Sequence, residues 1–219
     1  MVFEKLDAVY CINLERRKDR WDQFQDLWKD IDSSIEQFLA VDANNLEIDE
    51  TTYRKDPSHN KASIACTLSH IQVLERAIYL GQKEIMILED DAQPCKNFKE
   101  LFDLAYKQLP SIYSKYRPDY NFCYVGGTNM EPPEKITENV GKAIHTKSTV
   151  GYLIKTEFAK HIVPIIKKHA LNLVIDEIYL GLQPHYLLHI FTPRLIHQFE
   201  SYSDIIDRNI YYSWMRDLE

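Results

Sequence analysis

Short apolar runs of strand character alternate with longer segments of helical periodicity along nearly the whole chain, and no other feature narrows its fold as much. Such alternation packs as a sheet with helices on both faces, so the expected class is α/β. Leu6 to Asn13 reads as a first, buried strand, followed by the charged run Glu15 to Arg20. Behind it Trp21, Phe24, Leu27, Trp28 and Ile31 recur at spacings of three and four and mark one apolar helix face. A second strand is expected from Ile35 to Val41, and residues 43–61 read as a polar loop. Ile64, Leu68, Ile71, Leu74 and Ile78 predict a long helix closed by Gly81. Glu84 to Leu88 is a short buried strand, and Asn97 to Leu109 a helix capped by Asn97. Tyr120 to Val125 is a strand that breaks at Gly126-Gly127, and the polar stretch from Thr128 to Lys147 is expected to be a mobile loop. Val150 to Ile154 returns to strand and Glu157 to His169 to helix.

With 219 residues, 45% of them hydrophobic, and no Gly/Ser- or Pro-rich linker, a single domain with a proper core is expected. The net charge of −7, from 33 acidic and 26 basic side chains, argues against nucleic-acid binding, which needs a broad basic face. It leaves room for one small anionic ligand held by a local cluster of arginines. The N-terminus carries acidic residues where a signal peptide needs an apolar run, and no stretch approaches the roughly 18–20 apolar residues that cross a bilayer. Cys11, Cys66, Cys95 and Cys123 lie far apart without CxxC spacing, so no zinc site is expected. Reduced thiols in a cytoplasmic, membrane-free protein are the expectation.

The sharpest local feature is Ile85-Met86-Ile87-Leu88-Glu89-Asp90-Asp91. Three consecutive carboxylates repel one another, and folding gains nothing by gathering them at the end of a buried strand. A divalent cation with hard oxygen ligands changes that balance. In open α/β sheets, ligands bind beyond the carboxyl ends of the strands, where this triplet sits. A solvated acidic turn is the plainer alternative.

The segment Val9 to Arg20 (VYCINLERRKDR) resembles the opening of glycosyltransferase family 25, which includes bacterial lipopolysaccharide galactosyltransferases and collagen hydroxylysine galactosyltransferases. The resemblance continues through Ala40-Val41-Asp42, Ala65-Cys66-Thr67-Leu68-Ser69-His70, Ile87 to Ala92 and Gly151 to Ile154. It ends with Asp176-Glu177, Pro193-Arg194-Leu195, Gln198 and Ser203-Asp204-Ile205, so ordered blocks span residues 9–205. By that resemblance the fold is of the GT-A type, a Rossmann-like mixed sheet with one nucleotide-sugar site, and residues 206–219 are a tail of unknown role. Tyr211, Tyr212 and Trp214 in that tail are candidates for an acceptor or partner contact, or for core packing.

The resemblance also implies roles. Asn13 and Leu14 lie by the uridine, with Arg16, Arg17 and Arg20 near the diphosphate or shaping the pocket. Asp91 is the first choice as ligand for manganese or magnesium, with Asp90 or Glu89 assisting or contacting the ribose. His197, or less well His189, is the candidate for a further late metal ligand. His70 is a candidate to touch a phosphate or the sugar; ordering its helix is an equally good reading. Asp176 or Glu177 is the candidate base for an inverting transfer, against a plain helix-capping role for Asp176. Gly126-Gly127 either lets the backbone approach a substrate or simply starts a loop. The family often has Gly before the Cys block, where this chain has Asn60-Lys61-Ala62-Ser63-Ile64-Ala65, which alters the edge of the expected donor pocket. The implied reaction moves galactose or glucose from UDP-galactose or UDP-glucose to a hydroxyl of a glycan, a lipid-linked glycan or hydroxylysine. The alternative is a non-catalytic module that binds a nucleotide-sugar or glycan.

Overall fold

The computed structural model describes residues 2–49, 59–109, 120–206 and 208–210. In chain order the first half holds β1 (Ala8–Asn13), α1 (Lys18–Trp28), β2 (Glu36–Leu39), α2 (Lys61–Tyr79), β3 (Glu84–Glu89), β4 (Ala92–Pro94) and α3 (Phe98–Tyr106). Then come β5 (Phe122–Tyr124), β6 (Thr128–Asn129), β7 (Glu134–Lys135), β8 (Val140–Lys142), β9 (Thr146–Lys147) and β10 (Gly151–Lys155). The remainder is α4 (Thr156–His169), α5 (Ile175–Leu182), β11 (His189–Phe191), β12 (Ile196–Gln198), β13 (Ser201–Ser203) and β14 (Arg208–Ile210).

Eight strands form one mixed sheet in the order β2-β1-β3-β10-β5-β11-β8-β7. β1 runs parallel to β2 and β3, whereas β10 is antiparallel to both β3 and β5. Alternate side chains of β1 and β3 point to opposite faces and are buried on both. Tyr10, Ile12, Ile85 and Ile87 pack with α2, α4 and α5, while Val9, Cys11, Met86 and Leu88 pack with α1 and α3. The α/β class, a mixed sheet with helices on both faces, is therefore as expected. No helix among the described residues is long and apolar enough to cross a membrane.

α2 starts at Lys61, three residues before the first periodic apolar position. Asn60 caps it: its side chain accepts from the N–H groups of Ala62 and Ser63, and Ser63 Oγ accepts from the Asn60 N–H. Past its other end Gly81 takes the left-handed conformation, φ +68°, that glycine adopts without strain. Asn97 does stand at the start of α3, but in a left-handed conformation and without a side-chain capping bond. The expected cap is corrected there.

The stretch from Thr128 to Lys147 is also corrected. It is not a featureless loop, since β6 pairs with β9, and β7 and β8 extend the main sheet through β11. Its polar sequence reflects edge pairing, where β7 is solvent-exposed on both residues. Gly126 and Gly127 are required by packing. A Cβ on Gly126 would lie 2.6 Å from Val150 Cγ1, and one on Gly127 2.6 Å from Thr146 Cγ2. Part of residues 43–61 and the aromatic residues Tyr211, Tyr212 and Trp214 lie outside the described residues.

Candidate active site

The parallel register sets Ile12 opposite Glu89, so Asn13 and the acidic triplet leave the sheet side by side. Asn13 is buried and serves as a strut. Its Nδ2 donates to Asp90 Oδ2 at 2.7 Å and to the Arg17 carbonyl at 3.2 Å, while its Oδ1 accepts from Gln37 at 2.8 Å. Arg20, in the first turn of α1, reaches both aspartates: Nη1 is 2.9 Å from Asp90 Oδ1 and Nη2 is 2.9 Å from Asp91 Oδ2. Gln198 Nε2 donates to Asp91 Oδ2 at 3.2 Å. Asp91 Oδ1 is buried without a hydrogen-bond partner.

Burial dominates the electrostatics. It pushes the Asp91 carboxyl up to about 7; Arg20 pulls the other way, and Glu89 and Asp90 add to the rise. Asp90 is raised for the same reason, with Arg20 and Asn13 opposing. Burial also pushes Glu89 up, but His70, Thr149 and Arg20 outweigh it and hold Glu89 below its ordinary value.

His70 lies fully buried on α2. Its Nδ1 is 2.9 Å from the Tyr152 hydroxyl, which is 3.1 Å from the Tyr179 hydroxyl on α5. His70 Nε2 is 3.4 Å from Glu89 Oε1, close enough to act on that carboxylate electrostatically but short of a well-formed hydrogen bond. Thr149 Oγ1 donates to Glu89 Oε1 at 2.5 Å.

Arg20, His70, Glu89, Asp90, Asp91 and Gln198 line a cleft of about 610 Å³ that also contains Leu14, Arg16, Lys61, Cys66 and Asp204. Arg16 Nε donates to Asp42 at 2.8 Å and its Nη1 to Asp204 at 2.7 Å. Arg17 bonds Asp204 at 2.5 Å and Asp19 at 2.9 Å. Asp204 lies between the paired strands β13 and β14, so it ties that hairpin to the β1–α1 loop. Asn60 Nδ2 adds a bond to the Ile205 carbonyl at 2.7 Å.

Of the residues singled out in the sequence, Leu14, Arg16, Arg20, His70, Glu89, Asp90 and Asp91 share this one cleft. Asn13 stands behind it and positions Asp90. His197 is not among the lining residues; its neighbour Gln198 is, and successive residues of β12 face opposite ways. His189 is buried in β11 within the main sheet, and burial lowers it to about 4. Asp176 and Glu177 are half-buried in the first turn of α5 and do not line the cleft. The N-cap of α5 is Val174, so Asp176 does not cap it. Burial raises Asp176, Lys147 and a Ser148 N–H oppose, and its charge interacts with Glu89. Gln198 and Asp204 are among the site residues given no role from sequence, although both fall in the blocks of family resemblance.

Residues 6–179 match the family described as "Glycosyltransferase family 25 (LPS biosynthesis protein)". The chain belongs to glycosyltransferase family 25. A "Glycosyltransferase 25 family member" of Drosophila pseudoobscura pseudoobscura is 29% identical over 170 residues, covering 70% of this chain and 26% of that protein. "Procollagen galactosyltransferase 2" of Mus musculus is 27% identical over 174 residues, covering 72% of this chain and 27% of that protein. A Bos taurus relative named "Probable inactive glycosyltransferase 25 family member 3" is 26% identical over 142 residues, covering 59% of this chain and 23% of that protein. The chain thus spans about a quarter of the length of these relatives.

Proposed function

We propose that this family 25 chain is an active, inverting, metal-dependent hexosyltransferase, moving galactose or glucose from a UDP-sugar to a hydroxyl acceptor. The observation that carries the reading is Asp91 Oδ1, buried without a partner beside a cleft of nucleotide-sugar size. Four carboxylates (Glu89, Asp90, Asp91 and Asp204) and three basic side chains (Arg16, Arg20 and Lys61) line that cleft. An anionic diphosphate is unwelcome in such a balance unless a cation accompanies it.

The donor set suits a hard divalent ion such as manganese or magnesium, held through Asp91 Oδ1 with Asp90 adjacent. Positive charge supplied there offsets the diphosphate and the charge that builds on departing UDP. The chain's own residues do the rest. Asn13, Arg20 and Gln198 fix the two aspartates, and Leu14 with Ile12, Ala40 and Val41 gives the cleft an apolar wall for a uracil ring. Arg16 and Lys61 face the phosphates once Arg16 exchanges a carboxylate for a phosphate oxygen. Asp176 does not line the cleft, but its charge interacts with that of Glu89, which does, and of the two α5 carboxylates it is the candidate for the base that takes the acceptor's proton.

The procollagen galactosyltransferase relatives favour hydroxylysine as acceptor, and the family description favours a lipopolysaccharide glycan; a lipid-linked glycan presents the same hydroxyl chemistry. The inactive-named Bos taurus relative keeps a second reading in play, a module that binds donor without turnover. Calorimetric titration with UDP tests the site: binding with manganese and its loss in EDTA are expected. Equal affinity in both buffers counts against the metal.

A further inference from the structure

We propose that Cys66, His70 and Glu89 form a second cation site, for a borderline divalent ion of the zinc class, with its open position facing the cleft. The proposal goes beyond sugar transfer and holds whether or not the chain turns over a donor. Cys66 and His70 are four residues apart on α2 and so share one face of the helix. Glu89 reaches the same point from the end of β3. Their ligand atoms, a sulfur, a ring nitrogen and a carboxylate oxygen, all lie within 4.8 Å of one another.

The spacing matches zinc coordination. Zinc–nitrogen and zinc–oxygen bonds of about 2.1 Å place neighbouring ligands of a tetrahedron about 3.4 Å apart. His70 Nε2 and Glu89 Oε1 are 3.4 Å apart. The Cys66 sulfur lies within 4.8 Å of both atoms, so an approach of at most about 1 Å completes three corners of a tetrahedron.

A second observation points the same way. His70 is fully buried, and its Nε2 has no hydrogen-bond partner. The opposite nitrogen is held by the Tyr152 hydroxyl, itself held by Tyr179, the kind of support that orients a metal-binding imidazole. Thr149 fixes the Glu89 carboxylate in the same manner. A sulfur, nitrogen and oxygen set is a zinc or cobalt set, unlike the all-carboxylate pair at Asp90 and Asp91. Three protein ligands and one open position describe zinc sites that bind a small molecule or water. All three residues line the cleft, so that position faces the ligand space. The wide separation of the cysteines in sequence hides the site, because its sulfur is joined by a histidine and a glutamate rather than by other thiols.

The test uses cobalt(II) as a visible probe on the intact chain, with a phosphine reductant. One equivalent is expected to give a thiolate-to-cobalt charge-transfer band that zinc bleaches. Cys66→Ser is expected to lose the band, Asp91→Asn to keep it, and Tyr152→Phe to weaken zinc affinity by about 10- to 100-fold. No thiolate band in the wild type, a band that survives Cys66→Ser, or its loss in Asp91→Asn overturns the proposal. If Cys66→Ser does not fold, alkylation of the wild type decides instead. Zinc is expected to slow labelling of Cys66 and leave Cys95 unchanged, and equal labelling of Cys66 with and without zinc overturns the site.

Discussion

Arg20 Nη2 lies 2.9 Å from Asp91 Oδ2, while the other oxygen of the same carboxylate is buried with no hydrogen-bond partner. Arg20 and Gln198 both engage Oδ2, so the two oxygens of Asp91 stand in different surroundings. Arg20 thus offsets part of the repulsion between the consecutive carboxylates at the end of β3.

Removing Arg20 strips the counter-charge from two buried carboxylates. Arg20→Ala is expected to destabilise the protein by about 3–5 kcal/mol near neutral pH, the usual loss when one member of a buried pair is deleted. Manganese should recover part of the loss. Denaturant unfolding in manganese and in EDTA checks both statements, and a loss below about 1 kcal/mol contradicts the first.

Asp91 makes stability depend on pH. Its carboxyl is raised to about 7 in the fold, against about 3.9 in an unfolded chain. Between those values the unfolded chain has released the proton that the folded one keeps. Stability from this group is therefore full below about pH 4 and is lost as pH rises toward 7, with a slope of up to about 1.4 kcal/mol per unit. Asp91→Asn should flatten that part of the metal-free profile. A mutant profile parallel to wild type from pH 4 to 7 contradicts the assignment.

Asp176 and Glu177 are separable by amide substitution. Asp176→Asn is expected to cut transfer by about 10²- to 10⁴-fold with UDP affinity and melting temperature nearly unchanged, while Glu177→Gln falls much less. Because Val174 holds the N-cap of α5, loss of a cap does not confuse the result. Near wild-type transfer in both mutants moves the base elsewhere.

Gly126 tests the packing account. A Cβ there meets Val150 Cγ1 at 2.6 Å and Ile196 Cβ at 2.9 Å, so Gly126→Ala should cost about 1–3 kcal/mol through overpacking. A thermal melt reads the loss. A neutral substitution shows that the strands part more easily than their contacts imply.

Much of this arrangement is legible in the sequence, for identifiable reasons. β1, α2 and β3 carry strong apolar periodicity, and the triplet at Glu89 to Asp91 advertises its chemistry locally. The 128–147 stretch is misread because edge strands need no alternating apolar face. Pairings across the chain leave no local trace: Arg20 with Asp91, Arg16 with Asp204, and Cys66 with Glu89 come together only once β1 and β3 pair and β13 folds back. Even so, Asp204 and Gln198 sit inside motifs that resemble the family, which was a usable signal.

Asp91 is proposed to anchor a metal-assisted transfer from a UDP-sugar. UDP release from UDP-galactose and from UDP-glucose, measured with acceptor, in manganese and in EDTA, for wild type and Asp91→Asn, tests it most directly. Release by the wild type in manganese is expected from at least one donor, with a fall to background both in EDTA and in the mutant. Turnover by Asp91→Asn equal to wild type at limiting manganese, or no release from either donor under any of these conditions, contradicts it.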